Sequence, residues 1–306
     1  MSSYQDVATT SRNLSKLERI GVGLFTIPKL LDQDFAGTMK LLAEIGYKEV
    51  EFFGPYPFSA PEAHTGWQPI ADALGMKQTG YYGLTPQEAR AVLDRYNLAS
   101  PSMHSDLQTL RQRMPQLAEA AHILGQRYVV LPAIPETERP TLDDYKRIAA
   151  EFNQIGASAV KEGIRFAYHN HGYGLRELAG QIPFQLILAQ TDPALVDMQL
   201  DIYWNTAGGG DPVAYLRDYP GRFRLMHIKD MLQRFPVPED MNNPSAWMGL
   251  FQQISDAGNG VLDLPTIIAQ GLQSGVQHFL VERDLAANPE QTLRNSYQYL
   301  AGLRFN

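Results

Sequence analysis

Two patterns alternate along the chain. Short runs rich in β-branched and aromatic residues end in polar or glycine-rich stretches, and between them lie longer segments whose apolar residues recur every three or four positions. Eight short runs read as strands: residues 19–27 (RIGVGLFTI), 48–53 (KEVEFF), 99–104 (ASPSMH), 127–132 (RYVVLP), 164–171 (IRFAYHNH), 196–204 (VDMQLDIYW), 223–230 (FRLMHIKD) and 277–284 (QHFLVERD). The intervening segments carry helix signals. In DFAGTMKLLAEIGY, Phe35, Met39, Leu42 and Ile45 follow the helical period and Gly46 is a stop. A second helix opens on Thr141 as N-cap, with Asp143 and Asp144 in its first turn, and closes near Gly163.

Eight strands alternating with helices, with no compositional break that marks a linker, predict an α/β fold that is a single (β/α)8 TIM barrel rather than a doubly wound sheet with a second domain. Two stretches interrupt the rhythm. Residues 54–82 hold four prolines and many aromatics, and are expected to form a loop with a short helix over the barrel mouth; KQTGYYG inside this region is an alternative strand. Residues 232–256 have the composition of a second mouth excursion, so both are lid candidates. Residues 1–17 are polar and are expected to be a flexible arm, leaving 18–306 as the barrel.

Composition narrows the chemistry more than the fold. Hydrophobic residues at 44% and charged residues at 19% are those of an ordinary globular protein. A net charge of -7, with no basic run interleaved with aromatics, argues against a nucleic-acid partner. The chain has no cysteine, so any metal must be held by nitrogen and oxygen. No apolar segment is long enough to span a bilayer and the first residues lack a secretion-signal core, so the expectation is a soluble, cytoplasmic protein without a membrane partner.

The ionisable residues recur at the same end of successive strands. Glu51 ends the second run, His104 the third, and His169 and His171 the fifth; Asp201 is late in the sixth, His227 and Lys229 in the seventh, and Glu282 in the eighth. A closed barrel brings these ends to one rim, where active sites of such barrels sit. Taken singly, a histidine is more often a core or surface residue than a ligand; their recurrence at one end is what a site would require. Two nitrogens from His169 and His227 with carboxylates from Asp201 and Glu282 form a set suited to one divalent ion, Mn2+, Co2+, Zn2+ or Fe2+, with Mg2+ less favoured. Asn170, Lys229 and Asp230 are candidates for holding the ligands in place. Phe53, Tyr56, Tyr203 and Trp204 offer an apolar face for a sugar ring, with ordinary packing as the competing reading. The GGGDP run at 208–212 lacks the Walker spacing and its lysine, so Asp211 reads as a helix N-cap before Pro212, not as part of a phosphate loop.

The ordered set YHNH, LDIYWNTAGGGDPVAYL, RLMHIKDM, AGNGVLDLPTII and FLVERD resembles the signatures of the xylose-isomerase-like TIM barrels, the sugar phosphate isomerase/epimerase group. The resemblance spans about Arg19 to Leu300 and extends to inosose dehydratases and 3-keto-glycoside lyases. It implies Asp201, His227 and Glu282 as metal ligands, with His169 where epimerases carry a second glutamate and Gly174 where many relatives carry one. It implies a carbohydrate substrate, proton abstraction next to a carbonyl, and association into homo-oligomers in many members. With one carboxylate of the epimerase pair absent, β-elimination or dehydration is favoured over isomerisation or epimerisation. Catalytic roles are expected for His104, His171, Lys229 and Glu282, and substrate contacts for Glu51, Phe53, Asn170, Tyr203 and Trp204. An endonuclease of the endonuclease IV type shares the barrel and is a remote alternative, disfavoured by the charge.

Overall fold

Strand periodicity and helix stops translate directly into the architecture. The computed structural model of the chain describes residues 16–241, 243, 249–284 and 286–305. Eight parallel strands close into a barrel: β1 (Gly21–Gly23), β2 (Glu49–Phe53), β3 (Ser102–His104), β4 (Tyr128–Leu131), β5 (Arg165–His169), β6 (Val196–Asp201), β7 (Phe223–Ile228) and, after a short antiparallel ribbon of β8 (Asp230–Met231) and β9 (Ile254–Ser255), β10 (His278–Val281). The closed order is β1-β10-β7-β6-β5-β4-β3-β2. β2, β4 and β6 are buried along their whole length, as a parallel sheet covered by helices must be.

The helices form where the sequence places their signals. Asp34 caps Phe35–Ile45 through Gly37 N, and Gly46 ends it at φ +124°. Thr141 opens Leu142–Lys161 in a capping box with Asp144. Asp211 caps Pro212–Asp218 through the amides of Val213 and Ala214, as the reading of GGGDP required. Asp230, in contrast, holds no ligand: its carboxylate accepts from the amides of Met231, Gly258, Gly260 and Leu262 and pins the 256–262 loop. No helix of the described residues is long and apolar enough to cross a membrane.

Several runs are shorter as strands than they read. The first gives three strand residues and passes into a 3-10 turn at Leu24–Thr26, while VDMQLDIYW bends at Asp201 into the helix Ile202–Ala207. Asp201 itself caps that helix by accepting from Trp204 N at 2.9 Å, which is why the strand cannot continue. KQTGYYG is a series of turns, so the count of eight barrel strands stands. The first mouth excursion is dominated by a 14-residue helix, Pro61–Leu74, longer than the expected short helix. The second excursion provides β9, and its residues 242 and 244–248 lie outside the described part, as do residues 1–15 of the expected arm. Leu17, at the end of that arm, is buried in the core.

Inside the barrel, side chains stack in layers, as alternate positions of each strand point inward. Tyr128, Val130, Ala167, Leu225 and Leu280 form an apolar plug distinct from the core between strands and helices. Two residues further along the same inward faces stand the polar groups of the rim. The plug keeps water from the barrel interior, so the polar layer meets solvent only through the mouth.

Candidate active site

β2, β3, β5, β6, β7 and β10 each deliver an ionisable group to one buried cluster. Glu51, His169, Asp201, His227, Lys229 and Glu282 are all at most 6% exposed. Lys229 Nζ lies 2.7 Å from Glu282 Oε2, 2.7 Å from Asp284 Oδ2 and 3.1 Å from Asp201 Oδ2. His227 Nδ1 is 3.1 Å from Glu282 Oε2, and its Nε2 is in close contact with Glu51 Oε2. His104 Nε2 lies 3.1 Å from the same Glu51 oxygen. The backbone makes room for this: a Cβ on Gly23 of β1 would stand 2.7 Å from Glu282 Oε1, so a side chain there would displace the carboxylate.

The electrostatics follow from burial and charge pairing. Burial works against a charge on His227, yet Glu282 and Glu51 outweigh it and push the imidazole up to about 10. Burial also opposes ionisation of Glu51 and Glu282, but His104 and His227 hold the first, and Lys229 and His227 the second, well below the usual carboxylate range. Lys229 is desolvated and nevertheless kept protonated by Asp201, Asp284 and Glu282. Burial pushes Asp284 up to about 6 and raises Asp201 as well. His171, half-buried at the cavity wall, is pushed down to about 3 by desolvation and by the nearby Lys229 ammonium, and is therefore a neutral imidazole.

Donor atoms of Asp201, His227 and Glu282 lie within 4.8 Å of one another, and so do those of His104, His169 and His227. The four expected ligands are thus split over two overlapping triads that share His227. Asp201 Oδ2 is a buried acceptor with no hydrogen bond, although Lys229 is near, and it lies 3.7 Å from His169 Nε2. Two carboxylates and two imidazoles with donor atoms this close together are the nitrogen and oxygen donor set of a divalent ion, so these residues fit one, with Lys229 the neighbouring cation on Asp201. Glu51 on the far nitrogen of His227 completes the carboxylate–histidine arrangement common to ligating imidazoles.

The remaining sequence expectations divide. A cavity of about 660 Å³ opens above the cluster, within the size range of ligand pockets, and His104, His169, His171, Lys229, Glu282 and Phe53 line it. Glu51 does not: it sits beneath the histidines, buried and bonded by Ser102 and Gln199. Asn170 is buried and braces Asp201 through two bonds to its backbone. Tyr203 donates its hydroxyl to the Leu250 carbonyl, and Trp204 packs beside His171 and Phe251; both are fully buried off the cavity wall, because the chain has already turned into a helix there. Tyr56 is likewise buried against Phe58 and Tyr81. The apolar wall is instead built by Phe25, Phe53, Trp67, Ile70 and Phe251, with Trp67 and Ile70 on the mouth helix. Asp284 and Gln199 were missed, yet each lies two residues from an expected site residue and so shares its inward face.

The closed parallel barrel and the carboxylate–histidine rim define the class, and residues 39–302 match the xylose isomerase-like TIM barrel family, to which the chain belongs. Among curated proteins it is similar to the inosose dehydratase of Lacticaseibacillus casei, 26% identical over 166 residues, which cover 52% of this chain and 55% of that protein. The chain thus spans about half the length of the curated relatives it matches. Among solved structures, a sugar phosphate isomerase/epimerase from Parabacteroides distasonis superposes with a TM-score of 0.70 over 95% of this chain and 96% of its own, at 23% identity. The IolI protein, solved with a bound zinc atom, has the same fold at a TM-score of 0.66 and 12% identity, covering 92% of this chain and 95% of its own.

Proposed function

We propose that the protein is a divalent-metal-dependent lyase that acts on a keto-sugar or cyclitol ketone, removing a proton next to the carbonyl and expelling the substituent one carbon further on. The observation that carries the reading is that the Asp201–His227–Glu282 donor triad lies directly beneath a cavity whose wall carries Glu282, a neutral imidazole, His171, and an ammonium, Lys229. His169 is the fourth ligand in this reading, and Mn2+ the favoured ion for mixed nitrogen and oxygen donors. When bound, the ion supplies Lewis-acid stabilisation of the charge that develops on the substrate oxygen.

The chain's own groups do the rest. His171, fixed by a backbone bond with Pro132, accepts the proton from the carbon next to the carbonyl. The C–H electron pair moves into the new carbon–carbon double bond and the carbonyl oxygen becomes an enolate, which Lys229 stabilises. As the enolate collapses to the enone, the bond to the β-substituent breaks and its oxygen takes a proton from Lys229. Epimerisation would need a second base on the opposite face of the ring. In this reading Glu282 is a metal ligand paired with Lys229 and His227 and so does not serve as that base, which favours elimination. The apolar wall leaves room for an aglycone beside the reacting ring.

The test is incubation of metal-depleted and Mn2+-loaded protein with an inosose, methyl and aryl 3-keto-glucosides, and a panel of ketoses, with products followed by NMR. Enone formation that needs Mn2+ and falls about 10²–10⁴-fold in kcat in His171→Ala is expected. Ketose interconversion without loss of any group would overturn the lyase reading.

A further inference from the structure

Gln199 lies in the middle of the polar layer, fully buried, and makes three hydrogen bonds with charged or ionisable partners. Its Nε2 donates to Glu51 Oε1 at 2.8 Å. Its Oε1 faces two imidazoles, 2.8 Å from His104 Nε2 and 2.9 Å from His169 Nδ1. The direction of the amide is not free. Glu51 is an acceptor only, also bonded by Ser102 at 2.6 Å, so the nitrogen of Gln199 must turn to it and the oxygen must turn to the histidines. An amide oxygen can only accept, so His169 carries its proton on Nδ1 and its Nε2 is left as a lone pair.

That lone pair faces Asp201. His169 Nε2 and Asp201 Oδ2 are 3.7 Å apart, and with the imidazole proton on Nδ1 the ring offers that oxygen no hydrogen bond. Lys229 Nζ, 3.1 Å from Asp201 Oδ2, balances the carboxylate but leaves the His169 lone pair free to face a cation. The same Glu51 carboxylate takes the Nε2 side of His227 through its other oxygen, which turns Nδ1 of that ring to Glu282. One carboxylate on β2 therefore orients both rings, His227 directly and His169 through Gln199.

We infer that Gln199, fixed by Glu51, is a positioning residue that locks His169 in its Nδ1–H tautomer and thereby makes a neutral imidazole the fourth ligand of the metal centre. The inference rests on the metal-centre reading above and goes beyond it, because it assigns the ligand nitrogen and the residue that enforces it. Free imidazole prefers the Nε2–H form, which would point a donor at Asp201 and close the site with a hydrogen bond instead of an ion.

The experiment is long-range 15N–1H correlation NMR on metal-depleted protein labelled at histidine, combined with calorimetric titration of Mn2+ and Zn2+ into wild type and Gln199→Leu. Wild type is expected to show His169 as Nδ1–H. Gln199→Leu is expected to shift it to Nε2–H and to weaken ion binding about 10–100-fold, the usual loss when a group holding a ligand is removed. A wild-type His169 in the Nε2–H form overturns the inference, and this result needs no variant to fold. Unchanged tautomer and affinity in a folded Gln199→Leu protein overturn it too. Wild type that shows the Nδ1–H form yet binds neither ion sinks the metal-centre reading and keeps the tautomer assignment.

Discussion

Asp230 separates loop-holding from catalysis within the HIKD stretch. Its Oδ1 accepts from Met231 N at 2.8 Å and Leu262 N at 3.1 Å, and its Oδ2 from Gly258 N at 3.0 Å and Gly260 N at 3.1 Å. The first two donors are buried and the last two partly buried. Asp230→Ala strands two donors away from water, at about 1–3 kcal/mol each, and loses charge-assisted bonds at the others, so a total of about 3–5 kcal/mol is expected. Asp230→Asn keeps one accepting oxygen but turns an NH2 towards two N–H groups, and is expected to cost about 2–3 kcal/mol. With an unfolding entropy of about 2.1 cal/mol/K per residue, the alanine variant should lower Tm by roughly 5–8 °C. Calorimetry and urea titration measure both. Below the transition, the folded Asp230→Asn protein should retain the KM of wild type, since the side chain faces the loop. An asparagine variant within about 0.5 kcal/mol of wild type would refute the reasoning, because a carboxylate satisfying four amides cannot be replaced so cheaply.

Gly23→Ala places a methyl 2.7 Å from Glu282 Oε1, and the carboxylate must move; Mn2+ affinity, read by calorimetry, should fall at least about tenfold while stability drops by about 1–3 kcal/mol. Glu138, held down to about 2 by its bonds to Arg111 against a smaller burial penalty, gives a pH signature. Its folded-state value is depressed, so its stabilisation is present above the unfolded value and is lost as pH falls towards 2. The stability gap between wild type and Glu138→Gln in urea should therefore be about 1–2 kcal/mol at pH 7, discounted for partial exposure, and should shrink by pH 3; a gap that grows on acidification would contradict the pairing.

The barrel was legible because alternation and helix stops are local signals, and eight runs could close in few ways. The gathering of the ionisable residues at one rim was legible because barrel topology brings strand ends together whatever the loops do. Tyr203 and Trp204 lie off the cavity for a reason of equal locality: Asp201 is both a rim carboxylate and an N-cap, and the turn it starts takes the next two aromatics away from the cavity wall. The aromatic wall was harder to read because Trp67 and Ile70 lie on a helix with a proline at position 69, in a segment that reads as a loop with only a short helix. Gln199 was hidden because an uncharged amide between Met198 and Leu200 carries no chemical signal until its partners are known.

The geometry also accounts for the glutamate missing at Gly174. That residue holds φ +74°, a conformation side chains rarely adopt, and a Cβ there would stand 3.2 Å from the Tyr145 hydroxyl. It borders a small cavity with Arg176, Pro183 and Glu239, apart from the main floor. A carboxylate at this position would therefore be strained. In the metal-centre reading proposed above, His169 of β5 supplies the fourth donor instead, at no cost in charge. The floor already buries Glu51, Asp201, Glu282 and Asp284 against Lys229 and His227, an excess of two negative charges when all four carboxylates ionise. A fifth carboxylate would deepen that excess. In the proposed reading, a neutral imidazole would leave more of a divalent ion's charge for the substrate oxygen, which is the pull that the proposed enolisation requires.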